Sequence, residues 1–213
     1  MSRRMLVAGN WKMYTTSGEG AVLVQDLAPL VEEWWDEVEI AVCPPFTGIK
    51  AVSTVIELDK LTISLGAQDV HWEAEGAFTG AIAPRMLREL RCDYVIVGHS
   101  ERREYFGDTN ETVNRKVHAT FDAGMVPIMC VGETLEIREA LETDTFVRTQ
   151  VLEGAAVLPD QMDGAVGSLD RAAGAGGRPE VDRRGPAARG GQVNGDNDGD
   201  RSGHPEDHPA GTA

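Results

Sequence analysis

The feature that most constrains the fold is an alternation of short apolar runs with helix-like segments, repeated five times up to about residue 152. The apolar runs have the length of buried β-strands, and the segments between them place apolar residues three and four apart. Such alternation indicates a parallel sheet with helices outside it. The pattern fits an open doubly wound sheet and a closed barrel equally well. The predicted strands are 5–8, 38–42, 61–65, 94–97 and 125–131.

Polar residues at the predicted helix starts have the spacing of capping boxes. Thr16 and Glu19 precede the first helix. Asp108 and Glu111 have the same spacing ahead of the helix that leads to the fifth strand. After that strand, the apolar periodicity predicts a single long helix over about 135–152.

Composition and charge limit the classes of partner and the compartment. The 213 residues carry a formal net charge of −15, which argues against nucleic acid and against anionic membrane surfaces. No apolar run approaches the ~18 residues of a membrane span, and the N-terminus has no long apolar stretch of the secretory type. We therefore expect a cytoplasmic protein. No G-x-G-x-x-G follows the first strand and no Walker-type loop occurs, which disfavours dinucleotide and nucleoside-triphosphate cofactors.

The cysteines and histidines do not form a metal-binding pattern. Cys43, Cys92 and Cys130 are odd in number and far apart, so we expect reduced thiols. His204 and His208 have i,i+4 spacing, but the proline between them disfavours a regular helix. The sequence therefore predicts no metal site.

The character of the chain changes after residue 158. Glycine, alanine, arginine, proline and aspartate dominate from there to the end of the sequence. Such a segment cannot bury enough apolar surface to offset the entropy lost on ordering. We therefore expect one domain over 1–158 and a disordered tail over 159–213. From residue 164 onward the large apolar residues are Val166, Leu169, Val181 and Val193.

Several short strings at the predicted strand ends carry a family resemblance. They are Asn-Trp-Lys-Met at 10–13, Gly-Ala-Gln-Asp at 66–69, Gly-Ala-Phe-Thr-Gly at 76–80, Gly-His-Ser-Glu-Arg-Arg at 98–103 and Val-Gly-Glu at 131–133. Taken together and in order, they resemble the triosephosphate isomerase family over all five β-α units. The resemblance implies a (β/α)₈ TIM barrel, of which this chain has about five units, and no cofactor. It also implies interconversion of dihydroxyacetone phosphate and glyceraldehyde 3-phosphate, a step of glycolysis and gluconeogenesis.

The resemblance also implies roles for individual residues. The reaction passes through an enediolate, whose developing negative charge needs preorganised donors. Lys12 would supply positive charge for the phosphate and the oxyanion, with Asn10 beside it in the substrate pocket. His99 corresponds to the family's electrophile, a neutral imidazole that polarises the carbonyl. This family is itself the standard example of a catalytic histidine whose pKa is lowered. Glu101 resembles the carboxylate near Lys12, although a helix-start carboxylate favoured by the helix dipole is an alternative interpretation.

Other matching residues are expected to fix the architecture or the subunit contact. The segment 68–80 resembles the loop by which one subunit reaches into the active site of its partner. Gln68 lies at its start and Thr79 near its tip, so a homodimer is expected. Arg102 and Glu133 are expected to stabilise the architecture and the subunit contact.

The sequence also departs from the family pattern. The family's general base is a Glu in an Ala-Tyr-Glu-Pro-Trp-type string after a sixth strand, and the 213 residues contain no such string. The Gly-rich phosphate-binding strings after strands seven and eight are also missing. A positioned general base contributes ~10²–10⁴-fold, so we expect little or no isomerase activity. The first and fifth strands should expose edges that invite aggregation.

Two questions stay open at this stage. Out-of-frame translation of a GC-rich gene would explain the tail, and a disordered natural extension is the alternative.

A non-enzymatic fragment that binds triose phosphate or a protein partner is an alternative function. A different sugar-phosphate barrel enzyme is a third possible function. An isomerisation assay compared with a ligand-induced melting shift separates catalysis from binding.

Overall fold

A computed structural model describes residues 4–157, whose strands form one parallel sheet of five in the order β1-β2-β3-β4-β5. Strands consecutive in sequence are neighbours in the sheet, so each connection crosses over its face. The sheet curls into a half-barrel, which confirms the predicted α/β class. The strands are β1 (Met5–Asn10), β2 (Val38–Cys43), β3 (Ser64–Ala67), β4 (Tyr94–Val97) and β5 (Val126–Met129).

Helices alternate with the strands along the chain. The first begins with the predicted capping box, in which Thr16 Oγ1 accepts from the Glu19 N–H and the Glu19 carboxylate accepts from the Thr16 N–H. The helices are α1 (Ser17–Val31), a 3-10 turn (Glu32–Trp34), α2 (Phe46–Leu58), α3 (Pro84–Glu89), α4 (Ser100–Phe106), α5 (Asn110–Asp122), α6 (Leu135–Glu139) and α7 (Thr143–Gly154).

The capping box predicted at the start of α5 was wrong by one residue. Thr109 and Thr112 form it, because the Thr109 hydroxyl accepts from the Thr112 N–H and the Thr112 hydroxyl accepts from the Thr109 N–H. Asp108 binds the ammonium of Lys116 instead, at 2.8 Å. Glu111 lies one position inside the helix. The buried Lys116 ammonium therefore binds the Asp108 carboxylate, which local spacing had assigned to the cap.

The predicted element boundaries differ most from the structure in two places. The single long helix expected over 135–152 is two helices, because Leu141 adopts a left-handed φ of 61° between α6 and α7. The third strand begins three residues later than predicted. Leu61 is still in the turn that ends α2, where its N–H donates to the Ile56 carbonyl at 3.0 Å.

The core lies between the inner strands and their helices. Val24, Val52, Leu87 and Val113, from four different helices, are fully buried in one cluster with Val95 of β4. Burial of such side chains is the main term that stabilises the sheet against its helices. The core is therefore centred on β2, β3 and β4.

The edge strands are far more exposed, as the sequence predicted. Among residues 4–157, β1 pairs only with β2 and β5 pairs only with β4. Met5 is 67% exposed and Val7 is 55% exposed. An apolar groove of about 390 Å³ adjoins β1 and is lined by residues that include Trp11 and Trp34. The β1 edge therefore presents apolar surface.

Some predictions fall outside this region. The tail expected over 159–213, with the His204 and His208 pair, lies beyond the described residues. None of the helices within residues 4–157 is long and apolar enough to cross a membrane.

Candidate active site

Polar residues that follow β1, β3 and β4 meet at the carboxyl edge of the sheet. Lys12 lies two residues after β1, Gln68 directly after β3, and His99 two residues after β4. Hydrogen bonds join Lys12 both to Gln68 and to Glu101 in the first turn of α4. Parallel strands bring their carboxyl ends to one edge, so residues distant in sequence share a site there.

The backbone of Lys12 adopts an unusual conformation that its surroundings hold in place. Its φ is 53°, in the left-handed region that a non-glycine residue adopts at a cost of about 1–3 kcal/mol. Its N–H donates to Asn10 Oδ1 at 3.0 Å, and its carbonyl accepts from Gln68 Nε2 at 2.8 Å. The structure therefore brings Asn10, Lys12 and Gln68 together.

The ammonium of Lys12 donates to Glu101 Oε1 at 2.6 Å. This hydrogen bond and the attraction of the carboxylate raise the pKa of Lys12. The same hydrogen bond lowers the pKa of Glu101. Both side chains are about half exposed, and both are charged at neutral pH. A lysine held as a cation suits anion binding and does not suit imine chemistry, which needs a neutral amine.

His99 is the N-cap of α4 and has a defined tautomer. Its Nδ1 accepts a hydrogen bond from the Glu101 backbone N–H at 3.2 Å. A ring nitrogen that accepts from an N–H carries no proton, so in the neutral ring the proton lies on Nε2. A Glu101 carboxylate oxygen is 3.5 Å from Nδ1, but the two would form an ion pair only if Nδ1 were protonated. In its neutral form, His99 therefore offers an Nε2–H donor.

A buried ion cluster lies beside this site, formed by Asp69, Arg102, Asp108 and Lys116. Lys116 Nζ lies 2.8 Å from Asp69 Oδ1 and 2.8 Å from Asp108 Oδ1. Arg102 Nη2 lies 2.9 Å from Asp69 Oδ2. Burial raises the pKa of Asp69, although Lys116 and Arg102 oppose that change. The cluster ties the segment after β3 to α4 and α5.

The sequence reasoning missed Lys116, although a signal was present. Lys116 lies beside Val117 and between Val113 and Thr120, all of which are buried. A lysine on the apolar face of a predicted helix almost always has a buried partner. Arg102, which the sequence analysis assigned to architecture, lies in the cluster with its guanidinium 4.5 Å from the Phe106 ring centroid.

The segment 68–80 leaves the site and becomes exposed. The imidazole of His71 stacks on Trp72 with ring centroids 4.3 Å apart and also contacts Phe78. Thr79 lies in an exposed stretch, and within residues 4–157 no hydrogen bond joins it to Lys12 or His99. The structure therefore brings Gln68 to the site and leaves Thr79 outside it.

Glu133, after β5, is held by its own partner. Its Oε1 accepts from Arg138 Nε at 2.8 Å. A backbone hydrogen bond and then the Arg138 hydrogen bond lower the pKa of Glu133.

No group of three or more His, Cys, Asp or Glu side chains within residues 4–157 could hold a metal ion.

A curled parallel sheet with a lysine, a histidine and a carboxylate in contact at its carboxyl edge defines an α/β-barrel type of protein. The family model for triosephosphate isomerase matches residues 5–166. The chain belongs to the triosephosphate isomerase family.

Individual relatives agree with this assignment. The chain is 46% identical to triosephosphate isomerase of Dictyoglomus thermophilum over 152 residues, which is 71% of this chain and 60% of the relative. It is 50% identical to that of Citrifermentans bemidjiense over 152 residues, 71% of this chain and 59% of the relative. A crystal structure of triosephosphate isomerase from Bartonella henselae matches with a TM-score of 0.65 and 34% identity, covering 74% of this chain and 63% of that chain. The chain spans about 60% of the length of the curated relatives it matches.

Proposed function

We propose that this protein binds a triose phosphate and supplies the electrophilic half of an aldose-ketose isomerase site. The observation that carries the proposal is the contact between Lys12, Glu101 and His99 at the carboxyl edge of the sheet. The bond from Lys12 to Glu101 holds the ammonium in place, and the bond from the Glu101 N–H to His99 Nδ1 leaves an Nε2–H donor on the neutral ring. Both donors are of the kind that stabilises an enediolate oxygen.

The proposed roles follow from these groups. The Lys12 ammonium binds the substrate phosphate and stabilises negative charge that develops on the substrate oxygens. The His99 Nε2–H donates to the substrate carbonyl and polarises it. Asn10 keeps the Lys12 backbone in place through the bond to its N–H. Preorganised donors of this kind usually give the largest single contribution to catalysis at a developing oxyanion.

Proton abstraction needs a further group, and the nearby carboxylates do not suit that task. A general base works best with a pKa near the operating pH. The pKa of Glu101 is instead lowered by the hydrogen bond from Lys12, and the pKa of Glu133 is lowered first by a backbone hydrogen bond and then by the one from Arg138. We therefore propose that a polypeptide of these 213 residues binds substrate without turning it over at an ordinary isomerase rate. We also propose that residues 1–158 form the barrel domain and that residues 159–213 are a tail outside it.

We also propose that the protein forms a homodimer through the face next to Lys12. Met13 is 96% exposed and Tyr14 is 74% exposed, although both are large and apolar or aromatic. The exposed stretch 73–80 contains Phe78 as a further large apolar side chain. Exposed apolar patches of this kind support contact with another subunit. Thr79 would then reach the partner's site rather than its own.

The cytoplasm is the proposed compartment. Cys43, Cys92 and Cys130 are all free thiols in the structure. Free cysteines are typical of proteins in reducing compartments.

Binding and catalysis are separated by two measurements on the full chain. Dihydroxyacetone phosphate should raise the melting temperature of the wild-type protein, because a ligand that binds only the folded state stabilises it. Lys12→Met should abolish that shift. Lys50→Met removes a cation from an exposed position on α2 and should leave the shift unchanged.

A coupled assay for glyceraldehyde 3-phosphate should show no isomerisation above the uncatalysed background. Absence of a melting shift in the wild-type protein would refute substrate binding. Turnover at an ordinary isomerase rate would refute the claim that proton abstraction is missing, and it would favour the full enzyme over the binding fragment.

A further inference from the structure

Side chains from three different segments hold the three hydrogen-bonding groups of Lys12. Asn10, at the end of β1, accepts from its N–H. Glu101, in α4, accepts from its ammonium. Gln68, after β3, donates to its carbonyl. The first two contacts fix the two ends of the residue, and the third fixes the peptide group between Lys12 and Met13.

The amide of Gln68 also joins two strands. Its Nε2 donates to the Cys43 carbonyl at 2.9 Å as well as to the Lys12 carbonyl at 2.8 Å. Cys43 is the last residue of β2, and its carbonyl also accepts from the Trp11 N–H at 3.1 Å. Both hydrogens of one amide group therefore hold the turn that follows β1 against the end of β2.

These contacts close a ring around the site. Gln68 binds Lys12, and Lys12 binds Glu101. The residue after Glu101 is Arg102, which binds Asp69 at 2.9 Å, and Asp69 directly follows Gln68. The segment that starts at Gln68 thus contacts both sides of the Lys12–Glu101 pair.

We propose that Gln68 is a positioning residue that sets the affinity of the site for a phosphate-bearing ligand by holding Lys12 in its left-handed conformation. Without the amide donors, the Lys12 carbonyl loses its protein partner and the residue can relax to a negative φ. That rotation turns the side chain away from Glu101 and His99. The ligand part of the inference rests on the proposed function, in which Lys12 binds the triose phosphate.

The first test needs no ligand. Reductively ¹³C-methylated protein allows the titration of Lys12 to be followed by NMR. In wild-type protein the pKa of Lys12 is raised by Glu101. Gln68→Met, which has a similar shape and no donors, should return that pKa toward the ordinary lysine value. Gln25→Met removes an exposed amide that donates to Asp59 and should leave Lys12 unchanged.

The second test measures dihydroxyacetone phosphate binding by isothermal titration. Gln68→Met should weaken binding about tenfold, the loss expected for one or two hydrogen bonds of ordinary strength. Gln25→Met should bind as the wild type does. Gln68→Leu is the second variant, because its side chain has no donor for either carbonyl and adds no charge, and it should also weaken binding.

The outcomes separate the two proposals. A Lys12 titration that is unchanged in folded Gln68→Met protein overturns the positioning role, whatever the ligand does. Wild-type protein that fails to bind the ligand, with a Lys12 titration that still responds to Gln68→Met, overturns the proposed function and keeps the positioning role. If Gln68→Met does not fold, the same two readouts apply to Gln68→Leu.

Discussion

The backbone N–H of Glu101 donates to Nδ1 of His99, with 3.2 Å between the two nitrogens. This contact predicts that His99 is the Nε2–H tautomer when neutral. Long-range ¹H–¹⁵N correlation spectra distinguish a protonated ring nitrogen from an unprotonated one. His118 is an internal reference, because its Nε2 lies 2.7 Å from the Ala156 carbonyl, which can only accept. A spectrum that shows a proton on His99 Nδ1 in the neutral ring would contradict the assignment.

Replacement of Lys116 should strongly destabilise the protein. Lys116→Met leaves Asp69 and Asp108 buried without their main cation, a change that typically costs about 3–5 kcal/mol. The neighbouring variant Arg115→Met breaks an exposed pair with Glu111 and should cost below about 1 kcal/mol. Urea denaturation of both variants measures the difference.

The loss in Lys116→Met should also depend on pH. Burial raises the pKa of Asp69 above its ordinary value of 3.8, so the folded state takes up a proton more readily than the unfolded state. Stability of the variant should therefore recover as the pH falls toward and through that raised pKa. Equal losses in Lys116→Met and Arg115→Met at neutral pH would show that the buried cluster is energetically unimportant.

Two glycines with similar backbone angles should respond differently to alanine. Gly98 has a φ of 66° and Gly124 has a φ of 72°. A Cβ on Gly98 would lie 2.6 Å from Val113 Cγ2 and 2.9 Å from Arg103 Nη2, whereas a Cβ on Gly124 meets nothing within 4 Å. Gly124→Ala should cost about 1 kcal/mol from its left-handed backbone alone.

Gly98→Ala should cost that amount plus the cost of displacing Val113, for a total of about 3 kcal/mol. It should also disturb Arg103, whose Nε donates to the Gly98 carbonyl at 2.8 Å. Thermal denaturation compares the two variants. Equal melting temperatures would mean that the structure near Gly98 relaxes without strain.

The buried cysteines should resist thiol reagents in the folded protein. Burial raises the pKa of Cys43 and of Cys92 to about 12. At pH 8 the thiolate would then be roughly one part in 10⁴, and it is the thiolate that reacts. Cys130 is half-buried and should react first. Labelling should accelerate as the pH rises, and all three thiols should react at once in urea. Rapid labelling of Cys43 in the native protein would contradict the protection expected from burial.

The exposed edge of β1 should cause self-association. Val7→Lys places a charge on that edge and should reduce the sedimentation-detected association of the wild-type protein. Val22→Lys is a close control, because Val7 and Val22 are both 55% exposed and Val22 lies on α1. An equal effect of the two variants would mean that added charge, rather than the edge of β1, controls solubility.

The sequence predicted the fold best where local pattern and tertiary packing agree. The Tyr94–Val97 strand was predicted to the residue, because a fully apolar run between Asp93 and Gly98 has one natural place in a buried sheet. The Thr16 capping box was also correct, since its hydrogen bonds lie within four residues. The family assignment depended on strings at the strand ends, which are local features too.

The predictions that were wrong relied on spacing or periodicity that the structure does not follow. Asp108 has the spacing of a cap but binds Lys116, and local spacing carries no information about that partner. Periodicity continued through Leu141, whereas its left-handed backbone separates α6 from α7. Lys12, Gln68, His99 and Glu101 lie together in the structure, and Thr79, which the resemblance places near the tip of the subunit-contact loop, lies apart from them.

The amino-acid sequence by itself determined the alternation of strands and helices and the chemical groups at each strand end, because both depend on neighbours along the chain. Only the tertiary structure decided that Gln68 holds the Lys12 carbonyl and that Asp69 and Asp108 share the Lys116 cation. Those features depend on the curvature and register of a parallel sheet. Such a sheet brings residues tens of positions apart to one edge, and no local pattern encodes which of them will meet.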